Sequence, residues 1–358
     1  MNPKRISFFR FAICSLLLLP SFLCVKSYAF ERHLWDEGWR FALHNDDKAH
    51  ETTFDDHAWR VLDLPHDWAI EGDFYALNPS GANGGALPGG IGWYRKHLNL
   101  NDNDASSRYV LHFDGAYMNT SVYVNGQLVG MRPYGFISFS YDITPYLKKQ
   151  GDNVVAVKVD NSKQPNSRWY TGCGIYRHVY LMKSSDIRIE EWGVQALTEV
   201  KKGKGRVSLN TKIENPSGRS RRVIVHQTLW NKAHQMVSKA SKACQVEANG
   251  ATISQLLNVN KPQLWSLESP NLYTVTTEIE ENGRILDRDT ISIGLRNVAF
   301  DVKKGFFLNG KNIKINGVCL HGDLGCLGTA INEDALYRQL LMMKDMGVNA
   351  IRCSHNPP

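Results

Sequence analysis

The stretch from Lys311 to Pro358 confines this chain to few architectures, because it holds two apolar runs separated by one helical period. Lys311–Leu320 is apolar-rich, strand-like, and ends on His321-Gly322-Asp323. Asn332-Glu333-Asp334 then reads as a helix N-cap with acids in the first turn, where the helix dipole favours them. Leu336, Leu340, Leu341 and Met343–Met346 recur at helical spacing, and Gly347 is the usual residue just past a helix end. Val348–Cys353 is a second apolar run, ending on Ser354-His355. Strand, helix and strand within roughly forty residues predict two parallel strands, which need a crossover of this kind. In a (β/α)8 barrel the C-terminal ends of the strands form the active face, and His321 and His355 would both lie there.

The chain before this unit reads as β. Arg108–Phe113, Thr120–Val124 and Val154–Val159 alternate, and Asp114-Gly115, Asn125-Gly126 and Gly151-Asp152-Asn153 separate them as turns. No long helical period interrupts residues 30–184, which predicts a jelly-roll β-sandwich. Within it, Asn78–Gly92 is glycine-rich; with no following helix or Lys-Ser/Thr it reads as a long mobile loop rather than a phosphate cradle. Residues 185–298 hold at least five further strands: Val207–Ile213, Val223–Leu229, Ile253–Val259, Tyr273–Ile279 and Asp289–Ile293. That spacing predicts an immunoglobulin-like sandwich. Residues 299–358 then open a barrel that is incomplete within this chain, so the expected fold class is multi-domain and mainly β.

Residues 1–29 look like an export signal. Lys4, Arg5 and Arg10 precede the apolar run Phe11–Val25, and Ser27-Tyr28-Ala29 offers small residues for cleavage. The run is too short for a stable membrane span, so the expected location is periplasmic or secreted. These residues carry four of the 42 basic residues and no acid, leaving 38 basic against 35 acidic. Such a balance gives no reason to expect nucleic acid as a partner. Cys173, Cys244, Cys319, Cys326 and Cys353 remain after cleavage, odd in number and scattered, which is no disulfide framework and no zinc site. The nine tryptophans suit carbohydrate stacking and equally suit sandwich cores.

Several stretches together resemble glycoside hydrolase family 2, the β-galactosidase, β-glucuronidase and β-mannosidase group. They are Leu64-Pro65-His66-Asp67-Trp68, Gly92-Trp93-Tyr94-Arg95-Lys96, Asp114-Gly115 with Val124-Asn125-Gly126, and the run Arg168–Arg177. Leu264–Tyr273, Gly317–His321 and Asn349–Pro357 complete the set, in the family's order. The resemblance implies a carbohydrate substrate. His321 and His355 are similar to histidines that line the sugar subsite, and Asp323 stands close enough in sequence to face the same cleft. Arg168 stands where some relatives carry an aspartate that reaches the active site, so its expected part is to line the cleft.

Family members use two glutamates, an acid/base and a nucleophile, about 5 Å apart. Glu268 and Glu333 fall in the wrong elements for those roles, so none of the catalytic pair is expected within this chain and both are expected beyond Pro358. The chain is therefore expected to be inactive alone. Its loop and motif pattern looks most like exported β-galactosidases; β-glucuronidase, β-mannosidase and a non-catalytic carbohydrate-binding protein are the alternatives. No metal site is expected in this chain and no cofactor is implied, although the resemblance allows a divalent or monovalent metal ion and a homo-oligomer in the complete enzyme.

Overall fold

The computed structural model describes residues 31–101 and 107–356. The segment 1–29 that reads as an export signal lies outside the described residues. The first sandwich pairs a six-stranded with a four-stranded antiparallel sheet. The larger runs Arg60–Leu62, Trp39–Leu43, Gly90–Leu100, Gly151–Asn161, Thr120–Val124, Gln127–Arg132; the smaller runs Glu31–Leu34, Val179–Ser184, Arg108–Phe113, Phe139–Asp142. Alternation works as the sequence suggests: Val122 and Val124 are buried, and Phe113 stacks on Phe139 with ring centroids 4.8 Å apart. Each fully buried Val or Phe there contributes roughly 1.5–3 kcal/mol of transfer free energy. Asn125 and Gly126 both have positive φ, 50° and 82°, which matches a tight hairpin turn.

Polar groups anchor the long connections of this sandwich. Arg95 is wholly buried, and its guanidinium donates to the Asp56 carboxylate at 2.8 Å and to the carbonyls of Ala49 and Glu51 at 2.6 and 3.1 Å. The glycine-rich segment also differs from a free loop. Ser80 is buried and donates to Leu87 O at 2.7 Å, Asn78 donates to Asp73 O and Ala86 O, and Leu87 enters the core. Its last residues, from Gly90, open the central strand Gly90–Leu100.

The second sandwich has seven strands rather than the five legible from alternation. Arg188–Lys201, Lys204–Glu214 and Ala251–Asn260 form one sheet; Met236–Val246, Arg221–Trp230, Tyr273–Glu281 and Arg284–Ile293 form the other. Met236–Val246 carries little apolar signal because it is an edge strand with mostly exposed or half-buried side chains. Arg188–Lys201 is interrupted by a bulge, in which residues 190–193 stand opposite Lys212 alone.

The C-terminal part corrects one expectation. Lys311–Leu320 is not a single strand: Lys311–Asn312 closes a small antiparallel sheet with Val298–Asp301 and Gly305–Leu308, and pairing resumes only at Gly317. The tight turn at Asn309-Gly310, with φ of 51° and 80°, folds Lys311 back on Leu308 and so breaks the run. Gly317–Leu320 and Ala350–Cys353 then pair in parallel, as the crossover requires. Asn349 pins the start of both strands, donating to Lys314 O and accepting from Asn316 N, each at 2.9 Å. The helix Glu333–Asp345 begins where Asn332 accepts from Ala335 N at 2.9 Å, and Gly347 follows it at φ 83°. Tyr337, Leu340, Leu341 and Met342 on it are exposed, while Leu336 and Met343 are half-buried.

Asp287 gives the second sandwich a pH signature. Its carboxyl is 2% exposed and accepts from Ile189 N and Arg288 N at 2.6 and 2.8 Å. Burial outweighs those bonds and pushes its pKa up from 3.8 to about 6. The folded state therefore holds a proton that the unfolded chain has released, and stability falls as pH rises between those values, by roughly 3 kcal/mol. Urea midpoints should drop across that window in the wild type and drop less in Asp287→Asn; identical pH slopes for the two proteins would rule this out.

Candidate active site

The ends of the two parallel strands face the first sandwich. Ser354 N donates to Leu320 O at 2.8 Å, extending the pairing one step beyond the strands, so His321 and His355 leave the sheet side by side. Arg352 steadies this end: its guanidinium donates to Ser354 Oγ at 2.9 Å and lies 3.2 Å from His355 Nδ1. Trp169, from the first sandwich, meets the His355 ring edge-on, with centroids 5.2 Å apart. Tyr134 donates to Asn356 Oδ1 at 2.7 Å on the same border. His321, Asp323 and His355 line a shared cavity with Trp169, Tyr170 and Arg177. Its volume is ≈ 60 Å³. A pocket that encloses a small organic ligand measures about 300–1,000 Å³, so this corner by itself is too small to enclose one.

Asp67 sets that corner. It is 2% exposed, and its Oδ1 accepts from Ala69 N at 3.1 Å and Cys173 N at 2.9 Å. Its Oδ2 accepts from Tyr170 OH at 2.5 Å, Thr329 N at 2.9 Å and Thr329 Oγ1 at 3.0 Å. One carboxylate therefore joins the 170–173 segment of the sandwich to the loop that follows His321. Burial, and next the Asp67 charge, push the Tyr170 phenol well above its ordinary range, so it stays a donor at any working pH. The approach is close enough to demand glycine twice: a Cβ on Gly172 would strike the Thr329 hydroxyl, and one on Gly328 would strike the Asp67 carboxylate. Ile331 N completes the seam by donating to Tyr176 O at 3.0 Å.

Comparison with known proteins decides the lineage. The pattern "Glycosyl hydrolases family 2, sugar binding domain" matches residues 33–185, "Glycosyl hydrolases family 2" matches 187–296, and the family's "TIM barrel domain" matches 300–358. The chain belongs to glycoside hydrolase family 2. It is 49% identical over 330 residues to the β-galactosidase BoGH2A of Bacteroides ovatus, a match spanning 92% of this chain and 39% of that protein. A family 2 member from Bacteroides cellulosilyticus superposes with a TM-score of 0.89 at 35% identity, over 91% of this chain and 43% of the other. Bacteroides uniformis β-glucuronidase superposes at 0.82 with 29% identity, over 92% and 40%. The chain thus spans less than half the length of these relatives.

Within this family 2 chain, the corner gathers three of the residues singled out from sequence: His321, His355 and Asp323. Arg168 is exposed and is not among the residues lining the cavity; its neighbour Trp169 is. Trp169 and Asp67 both stood in recognisable motifs, but no local pattern said which side chain would point into the seam. Among the described residues, no group of three or more His, Cys, Asp or Glu is placed to hold a metal ion. Asp67→Ala would leave the Tyr170 and Thr329 hydroxyls and three backbone N–H groups without their acceptor. It should cost about 3 kcal/mol or more in urea unfolding, whereas Thr329→Val, losing one hydroxyl bond, should cost about 1 kcal/mol. Equal losses for the two variants would show that Asp67 is not the common anchor.

Proposed function

We propose that this protein serves a retaining β-galactosidase of family 2, with residues 30–358 supplying the sugar-binding sandwich, the immunoglobulin-like spacer and one flank of the glycone site. The observation that supports it most is the meeting of His321 and His355, at the ends of two parallel strands, with Trp169 from the sandwich. Imidazole N–H groups at such a position donate to sugar hydroxyls and stabilise charge that develops in the transition state. Trp169 offers an aromatic face against which the C–H face of a pyranose can pack. The likeness to the Bacteroides ovatus β-galactosidase supports galactose as the sugar. A second reading, β-glucuronidase, draws on Arg177, a cation in the same cavity that a sugar carboxylate would meet.

Retaining hydrolysis needs two carboxyl groups about 5–5.5 Å apart. Among the described residues, Asp323 is the one carboxylate lining the cavity. The acid/base and nucleophile glutamates are therefore assigned to later barrel strands, and this chain alone is a binding flank. Export to the periplasm or beyond rests on residues 1–29 and belongs to the same proposal.

Purified from a host without β-galactosidase, the 358-residue chain should leave aryl β-galactosides unhydrolysed above background; clear turnover would overturn the assignment of the glutamates. In the protein read from the whole gene, kcat/KM should favour aryl β-galactosides over aryl β-glucuronides, and the reverse order would install the second reading. There, His321→Ala and His355→Ala should each remove about 2–4 kcal/mol of transition-state stabilisation. Wild-type kinetics in both would remove the histidines from the site.

A further inference from the structure

A far larger cleft lies away from the barrel, where the two sandwiches meet. It measures ≈ 660 Å³, within the range of about 300–1,000 Å³ typical of ligand sites. Val110 and Met182 of the first sandwich and Ile189 and Val194 of the second contribute apolar, nearly buried side chains to its wall. The bulge at residues 190–193 projects into this joint and does two things there. Glu191 binds back to the first sandwich, pairing with the His112 imidazole and the Ser140 hydroxyl. Trp192, at φ 60°, is turned outward: the residue is 72% exposed, and its ring stands 6.3 Å from the His112 ring. Bulges commonly serve to re-aim a side chain in this way, and a bulky residue at positive φ is unusual enough to ask what it gains.

Most charges around the cleft already have ionic partners, while Asp287 and Asp289 accept from backbone N–H groups. Arg188 pairs with Glu214 at 2.7 Å, Asp142 with Arg108, Arg288 with Glu278, and Glu191 with His112. An anionic ligand would have to break such pairs, because the three arginines lining the cleft, Arg32, Arg188 and Arg288, are all taken. A neutral polyhydroxyl ligand would not: it could lay its C–H face on the open indole and bond its hydroxyls to the polar rim. We propose that this cleft is a second carbohydrate site, separate from the barrel corner, which takes a neutral β-linked oligosaccharide with one ring stacked on Trp192. The proposal does not depend on which sugar the barrel hydrolyses.

Cellotetraose, β-1,4-galactotetraose and xylotetraose, titrated into the full chain with tryptophan fluorescence and saturation-transfer NMR as readouts, test it. At least one should bind with a millimolar dissociation constant or tighter. Trp192→Gly removes the ring and suits the backbone angle, so it should weaken that binding by about tenfold or more while leaving Tm unchanged or raised. Trp192→Phe should keep most of the affinity, and His355→Ala should leave it as in the wild type. Failure of all three tetrasaccharides to bind, undiminished binding by Trp192→Gly, or loss of binding in His355→Ala would each overturn the second site.

Discussion

Asp67 accepts five hydrogen bonds in a space closed to water, and the geometry of the whole corner follows from where they come. A buried carboxylate is costly unless its lone pairs are filled, and here backbone N–H groups and two hydroxyls fill them. The donors come from three places in the chain: its own turn, the 170–173 segment and Thr329. Satisfying Asp67 therefore means docking the barrel's first loop on the sandwich. That docking brings Trp169 against His355. Fold and site are thus coupled through one desolvated group, and glycine at 172 and 328 is what lets the backbones come close enough.

The other joints obey the same rule with different residues. Asn297 and Asn309 exchange backbone and side-chain bonds, and Asn297 also donates to Val200 O, fastening the small C-terminal sheet to the second sandwich. His112, Ser140 and Glu191 fasten the two sandwiches. Burial, the largest single influence on His112, is outweighed by the hydrogen bonds that its ring donates to the Asp114 and Glu191 carboxylates, which hold its pKa above the ordinary value. Each sandwich keeps its own apolar core, so the joints can be polar and specific while the cores supply most of the driving force.

The sequence was most readable where one face is buried and the other is wet. Thr120–Val124 and Tyr273–Glu281 alternate because the sheets demand it, and their boundaries fall close to the pattern. It was less readable where an edge strand buries little, as at Met236–Val246, or where a bulge breaks the period, as at residues 190–193. Lys311–Leu320 misled because apolar residues from two sheets abut, although Asn309-Gly310 carries the hairpin signal. That His321 and His355 follow the ends of two paired parallel strands was legible from strand–helix–strand grammar. Trp169 was not, since its direction depends on a loop held by Asp67, and Thr329 lies 262 residues from that carboxylate. No local pattern spans such a distance.

The account stands on Asp67 holding Trp169 against His355, and ring-to-ring NMR contacts report that directly. Nuclear Overhauser effects between the indole protons of Trp169 and the imidazole protons of His355 should be present in the wild-type chain. In Asp67→Asn they should vanish or fade strongly, while resonances of the core valines Val122 and Val225 stay at their wild-type positions. Full-strength contacts in Asp67→Asn, with both cores intact, would contradict the claim that this carboxylate builds the site.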